Sequence, residues 1–311
     1  MDLSSWLARH ADRTPEDVAI HFEGSGQSWA ALHRQMRQMA GALAELGVRR
    51  GDRVAHLGYN SPLFLILLFA CARLGAVLVP LNWRLAVPEH RIILADAAPA
   101  LLLYDDAFAG AAPLMGAAHA LALDALAAAL AASPEREADA SLSDDAPLLV
   151  VYTSGTTGRP KGAVLTQGAL LWNAVNSTLM HDLTSEDHVL TTLPMFHVGG
   201  LNIQTLPALH AGARVTLHRR FDPAATLAAI AAARPSLTVL VPTQLAALLE
   251  HPAWQATDLS SLRAITTGSA IVPRPLIEAI HARGVPVIQV YGSTETAPIA
   301  IHQTRREAFA A

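Results

Sequence analysis

Residues 153–162 read TSGTTGRPKG, with three glycines, three threonines and a serine packed around one lysine. Glycines let backbone N–H groups converge on a single point, and hydroxyls add donors around it. Lys161 supplies a mobile cation beside them. Residues of these types, packed this closely, can hold a polyphosphate. The spacing departs from the nucleotide loop G-x-x-x-x-G-K-[ST]: the fifth residue after Gly155 is Pro160, and Lys161 is followed by Gly162. The apolar run LLVVY (148–152) precedes the loop and GAVLT (162–166) follows it, so the loop is expected to join two strands. An ordinary hairpin turn needs one or two such residues, where this stretch has seven.

Two more segments carry chemistry in the same order along the chain, LPMFHVGGLN (193–202) and YGSTET (291–296), with the small-residue stretch TTGSA (266–270) between them. Together with the hydroxyl-rich loop they resemble the signatures of the adenylate-forming enzymes, which include acyl-CoA synthetases, luciferases and peptide-synthetase adenylation domains. The resemblance covers essentially the whole chain. It implies activation of a carboxylate by AMP transfer from ATP, with pyrophosphate released, followed by displacement of AMP by a thiol. Such a site must neutralise phosphate charge, align the carboxylate with the α-phosphate and keep water from the acyl-adenylate.

The resemblance also implies roles. Thr153, Ser154, Gly155, Thr156, Thr157, Gly158 and Lys161 would surround the β- and γ-phosphates. Gly268, Ser269 and Ala270 would pass their backbone along the adenine and the carboxylate. Tyr291 would stack on the adenine, with Gly292 and Ser293 beside it. Thr294 would donate to the α-phosphate, and Glu295 would hold Mg²⁺. His197 would sit where the acyl and thiol sites meet, with Val198, Gly199, Gly268 and Gly292 against the acyl group. Thr294, Glu295, Lys161 and His197 are thus the expected catalytic set. In acetate-activating relatives a tryptophan stands at the position of Gly292 and closes the acyl pocket. Glycine here implies an open pocket and a medium- or long-chain fatty acid or an aryl acid as substrate. The remaining thirteen histidines lack paired metal-ligand spacing and read as structural or surface residues.

The function implied is therefore an ATP-dependent carboxylic acid:CoA ligase using ATP, Mg²⁺ and CoA. An adenylation domain that loads a carrier protein and a catalytically dead ATP-binding module stay open as alternatives. After the YGSTET segment the family carries a ribose-binding aspartate, a hinge arginine and a mobile C-terminal domain with a catalytic lysine. The sequence stops fifteen residues past Thr296, so the expectation is a fragment with the C-terminal domain absent and inactive on its own.

The elements that must position these residues are legible as alternating apolar runs and helical segments. The strand candidates are RVAHL (53–57), AVLVP (76–80), ALLLY (100–104), LLVVY (148–152), HVLTT (188–192), ARVTL (213–217), LTVLV (237–241), LRAIT (262–266) and PVIQV (286–290). Continuous apolar runs suit strands covered on both faces. Helix starts are marked by Ser61-Pro62, Asp222-Pro223 and Pro242-Thr243, and a further helix spans 272–282 with Gly284 as its stop. The alternation predicts an α/β fold with mainly parallel sheets. The resemblance specifies it as the large N-terminal domain of adenylate-forming enzymes, two α/β subdomains at about 1–180 and 181–311.

Residues 107–132 are alanine-rich and read as a surface helix, and 133–145 (SPEREADASLSDD) as an exposed connector. The apolar run at 62–81 is broken by Arg73 and Gly75, which argues for a buried helix and strand over a membrane span. At 311 residues, 52% hydrophobic and 15% charged, the chain suits a globular interior. A net charge of −4 with no basic block gives nucleic-acid binding no support. The N-terminus is too polar for a signal peptide, and the single cysteine, Cys71, forms no internal disulfide, so a cytoplasmic location is expected. Small-molecule substrates are the expected partners, with a homodimer left open.

Overall fold

The computed structural model describes residues 2–139, 141–154 and 158–309. The chain opens with α1 (Ser5–Arg13), the short strands β1 (Val18–Phe22) and β2 (Ser25–Ser28), and α2 (Trp29–Glu45). Then come β3 (Arg53–Leu57), α3 (Pro62–Leu74), β4 (Val77–Pro80), α4 (Val87–Ala97), β5 (Leu101–Tyr104), β6 (Ala120–Ala122) and α5 (Leu123–Ala129). The hairpin β7 (Pro147–Ser154) and β8 (Pro160–Thr166) leads into α6 (Gln167–His181), β9 (His188–Thr191), α7 (Val198–Asn202), α8 (Thr205–Ala211) and β10 (Arg214–Leu217). The chain continues through α9 (Pro223–Ala233), β11 (Leu237–Val239), α10 (Pro242–Glu250), β12 (Ala264–Gly268), α11 (Arg274–His281), β13 (Val287–Tyr291) and β14 (Ile301–His302).

These elements form two compact units. One comprises residues 1–17 and 28–171, the other 18–27 and 172–311. The expected division at 180/181 falls in the last turn of α6, and the β1–β2 segment joins the sheet of the second unit.

The first unit holds a six-stranded sheet in the order β6-β5-β3-β4-β7-β8. Its pairs are parallel except β7 with β8. The apolar run at 62–81 folds as read, into α3 and β4. Ser61 caps α3 by accepting the Phe64 N–H at 3.3 Å, Pro62 occupies its first turn, and Gly75 closes it at φ 68°. Its residues from Phe64 to Leu74 are all buried, among them Cys71, whose thiol burial pushes up to about 12. Among the described residues no helix is long and apolar enough to cross a membrane.

The alanine-rich stretch departs from the expected single helix. It breaks into two one-turn 3₁₀ segments, strand β6, and α5 with a final 3₁₀ turn. Gly110, Pro113 and Gly116 (φ 80°) interrupt the helix, and β6 takes the open edge of β5. Tertiary pairing here overrides alanine's helix propensity. The connector 133–145 is mostly exposed, as read, but three of its acids are engaged. Glu135 and Glu137 pair with Arg37, Glu137 also with Arg73 at 3.0 Å, and Asp139 with Arg50 at 3.6 Å.

The second unit holds an eight-stranded sheet in the order β14-β13-β12-β11-β9-β10-β1-β2. From β13 to β1 every pair is parallel, and β14 runs antiparallel to β13. Asp222 caps α9 by accepting the Ala225 N–H at 2.8 Å. Leu190, Ile230, Leu245, Ile265 and Ile280 join strands and helices in one core. All nine strands read from the sequence are present, with ends shifted by one to two residues in most.

Candidate functional site

In the first unit the hydroxyl-rich loop is the tip of the β7–β8 hairpin. The antiparallel register sets Thr153 opposite Lys161 and Ser154 opposite Pro160. Gly155, Thr156 and Thr157 lie outside the described residues. Gly158 holds φ 79°, a conformation that side chains resist. Thr153 Oγ1 donates to the Lys161 carbonyl at 3.4 Å, and Lys161 is exposed beside it. Gly162 faces Tyr152 across the hairpin, and a Cβ there would press to 2.7 Å on Val150 Cγ1. The Tyr152 hydroxyl donates to Asp96 at 2.5 Å. Burial first, then that bond, holds its pKa above the usual tyrosine range, so it is fixed as a donor.

In the second unit the other three motifs follow the C-terminal ends of the parallel strands β9, β12 and β13, where ligands of α/β sheets bind. His197 stands exposed at the start of α7, and its Nδ1 accepts the Gly199 N–H at 3.1 Å. That bond leaves Nε2 to carry the proton of the neutral ring. Val198 and Gly199 are buried behind it. A Cβ on Gly199 would lie 3.3 Å from His197 Nδ1 and 4.0 Å from Ser269 Oγ, so the histidine segment meets the turn after β12.

That turn needs its glycine. A Cβ on Gly268 would overlap the Val290 carbonyl, so Gly268 lets β12 lie close along β13. Ser269 follows at φ 67°, and Ser269 and Ala270 are exposed. Beyond β13, Tyr291 is 71% exposed, an unusual position for a tyrosine that serves only packing. Gly292 has a local reason to be glycine: a Cβ would overlap the Pro298 carbonyl and lie 3.0 Å from Thr296 Oγ1. Thr296 Oγ1 in turn accepts the Ser293 N–H at 2.9 Å and donates to Pro298 O at 3.0 Å. Thr294 is buried, while Glu295 is exposed. A bond from its own backbone N–H, then one from the Ser293 hydroxyl, keeps the Glu295 carboxyl below the usual glutamate range and therefore ionised at neutral pH.

Among the described residues no three His, Cys, Asp or Glu side chains gather into a metal site. A single charged, exposed carboxylate suits Mg²⁺, which keeps several waters and is commonly held by one or two carboxylates together with substrate phosphates.

The structure thus brings His197, Gly199, Gly268, Ser269 and the turn that begins at Tyr291 to one sheet edge of the second unit. Thr153, Ser154, Gly158 and Lys161 belong to the hairpin of the first unit. Sequence reading gave no role to Asn173 and Gln204, nor to Asn202 and Thr266 within the quoted motifs; all four are buried. Their one visible signal is that polar side chains interrupt otherwise apolar stretches.

Comparison with known proteins agrees with these features. An AMP-binding enzyme family profile matches residues 7–310. An indoleacetate–CoA ligase from Aromatoleum aromaticum is 53% identical over 97% of this chain and 62% of its own length. A feruloyl-CoA synthase from Amycolatopsis is 42% identical over 95% of this chain and 60% of its own. The chain therefore spans about three fifths of the length of these curated relatives. Among solved structures, the inhibitor-bound N-terminal domain of FACL13 from Mycobacterium tuberculosis superposes with a TM-score of 0.93 at 29% identity, covering 99% of this chain and 80% of that one. With α/β architecture, motif order and matched length all in agreement, the chain belongs to the AMP-binding enzyme family.

Proposed function

We propose that the full-length protein of which this chain forms the ATP- and acid-binding part is an AMP-forming acid:CoA ligase acting on an aryl or arylalkanoic acid. The observation that carries this reading is the placement of three motifs on one sheet edge. His197, the 268–270 turn and the 291–295 turn follow the ends of β9, β12 and β13.

In this reading Lys161 and the hairpin hydroxyls neutralise the β- and γ-phosphates as pyrophosphate leaves. The exposed ring of Tyr291 stacks on adenine, and the backbone at 268–270 runs along it. Thr294 donates to the α-phosphate. Glu295 would hold Mg²⁺, which supplies charge neutralisation to the phosphates when bound. His197 presents its Nε2 proton where acid and thiol meet. The substrate class rests on the two relatives named for indoleacetate and ferulate, and on the absence of a side chain at Gly199 beside His197.

ATP–pyrophosphate exchange by the full-length protein tests the reading with indole-3-acetate, ferulate and dodecanoate. Exchange with an aromatic acid at ~1 s⁻¹ or more supports it. Preference for dodecanoate would overturn the substrate class, and exchange with no acid would favour a nucleotide-binding module. Offering CoA beside a pantetheinylated carrier protein then decides the thiol; carrier preference would replace the CoA reading.

A further inference from the structure

His197 sits on an element that cannot place it unaided. Helix α7 is five residues long and contains Gly199 and Gly200. So short a helix, with two glycines, has little stability of its own. Its position must come from contacts, and two buried carboxamides supply them.

Asn202, the last residue of α7, is 0% exposed. Its Nδ2 donates to the Ala297 carbonyl at 3.2 Å, three residues beyond Thr294. Its own carbonyl accepts from Asn173 Nδ2 at 2.6 Å, and Asn173 Oδ1 accepts the Ile299 N–H at 3.4 Å. The histidine segment, α6 and the strand-to-turn segment after Glu295 are thereby cross-braced. Gln204, 1% exposed, reaches the other way. Its Nε2 donates to Thr266 Oγ1 at 3.1 Å, two residues before Gly268.

The amide orientations follow from the donors and acceptors present. Asn202 faces a carbonyl, so nitrogen must point there. His181 Nδ1 donates to the Ser177 carbonyl at 2.9 Å, which makes its Nε2 the acceptor of the Thr266 hydroxyl at 2.8 Å. Thr266 Oγ1 can then only accept from Gln204, and Nε2 again must be the atom that meets it. Among the described residues the oxygens Asn202 Oδ1 and Gln204 Oε1 meet no hydrogen-bond donor. A buried unpaired acceptor is unfavourable by about 1–3 kcal/mol, and apolar side chains of similar size would avoid it. What the two amides contribute is therefore the pair of bonds made by their nitrogens.

We infer that Asn202 and Gln204 are positioning residues. Asn202 ties the histidine segment to the Thr294 and Glu295 turn, and Gln204 ties it to the 268–270 turn, so that His197 faces a registered adenylate. This rests on the proposed ligase reading and adds residues to it. Neither amide touches a reacting atom; each acts through the backbone it grips.

The test uses the full-length protein with an acid that supports exchange, and the variants Asn202→Leu and Gln204→Met, each alone and combined with His197→Ala. Misplacement on the order of 1 Å lowers rates about 10²-fold. In the His197 background each variant should lower kcat for thioester formation about 10²-fold, with KM for ATP changed less than about threefold. In the His197→Ala background either change should add little, because its effect runs through the missing imidazole. Thermal melting should show both variants folded. Unchanged thioester kcat in both, a full and additive loss without the imidazole, or loss of folded protein in both would each overturn the inference. Failure of the unmodified protein to exchange pyrophosphate with any acid would instead strike the ligase reading.

Discussion

Glu295 and Lys161 are both exposed, and each would serve phosphate charge from its own unit. Glu295→Gln keeps the shape and removes the charge. Pyrophosphate exchange by the full-length variant should fall at low Mg²⁺ and recover in part as Mg²⁺ rises. Unchanged exchange at low Mg²⁺ would remove Glu295 from the metal. Lys161→Ala should raise KM for ATP more than KM for the acid. Gly292 calls for a different expectation from the one its missing side chain suggests. Because a Cβ there overlaps the Pro298 carbonyl, glycine is required by the turn and gives no measure of pocket depth. Gly292→Trp should therefore displace the 293–298 turn and depress kcat/KM for short and long acids alike. Selective loss of long acids, with acetate spared, would show that the turn yields and that the indole fills the pocket.

At the scale of elements, α2 carries a glycine in mid-helix, where alanine is intrinsically better by about 1 kcal/mol. Gly41 is there because the connector 133–145 crosses it: a Cβ would overlap the Pro134 carbonyl. Gly41→Ala should destabilise the protein despite its helix propensity, by about 1–3 kcal/mol for overpacking against backbone, measured by chemical denaturation. A stabilised variant would mean that the connector moves aside freely. The same elements show what was legible beforehand. β3, β4 and β12 were readable because buried parallel strands are continuous apolar runs. β2 is the polar, half-exposed SGQS, and nothing local distinguishes it from a loop; it becomes a strand by lying at the edge of β1. β6 is three residues of alanine and leucine whose strand character comes from β5. The four motifs were legible because their residue types are chemically unusual. The roles of Asn202, the last residue of one of them, and of Gln204 were not, since an amide's role depends on which distant carbonyl or hydroxyl it meets.

The whole molecule should lose stability in mild acid. His181, fully buried, is held neutral with its pKa down at about 4, chiefly by burial. His188 is also at about 4, through burial and then the nearby Arg214. The unfolded chain takes up these protons near pH 6.5, whereas the folded protein resists them until near 4. The unfolded state therefore binds more protons between those values, and stability falls as pH drops from about 6.5 toward 4, by up to ~1.4 kcal/mol per pH unit per histidine. Denaturation midpoints at pH 7.5, 6 and 5 check this, and His181→Gln should flatten part of the slope. Midpoints that stay level would show that the folded protein admits the protons. The β1–β2 segment carries a consequence of another kind. Ile20 pairs with Val215, a partner made 195 residues later. At synthesis rates of about 5–20 residues per second, β1 leaves the ribosome roughly 10–40 seconds before the strand it needs. During that interval its hydrogen-bonding edge is open to any other extended segment. The birth of this protein thus includes an obligatory wait, and whatever shields residues 18–27 during translation should govern its yield.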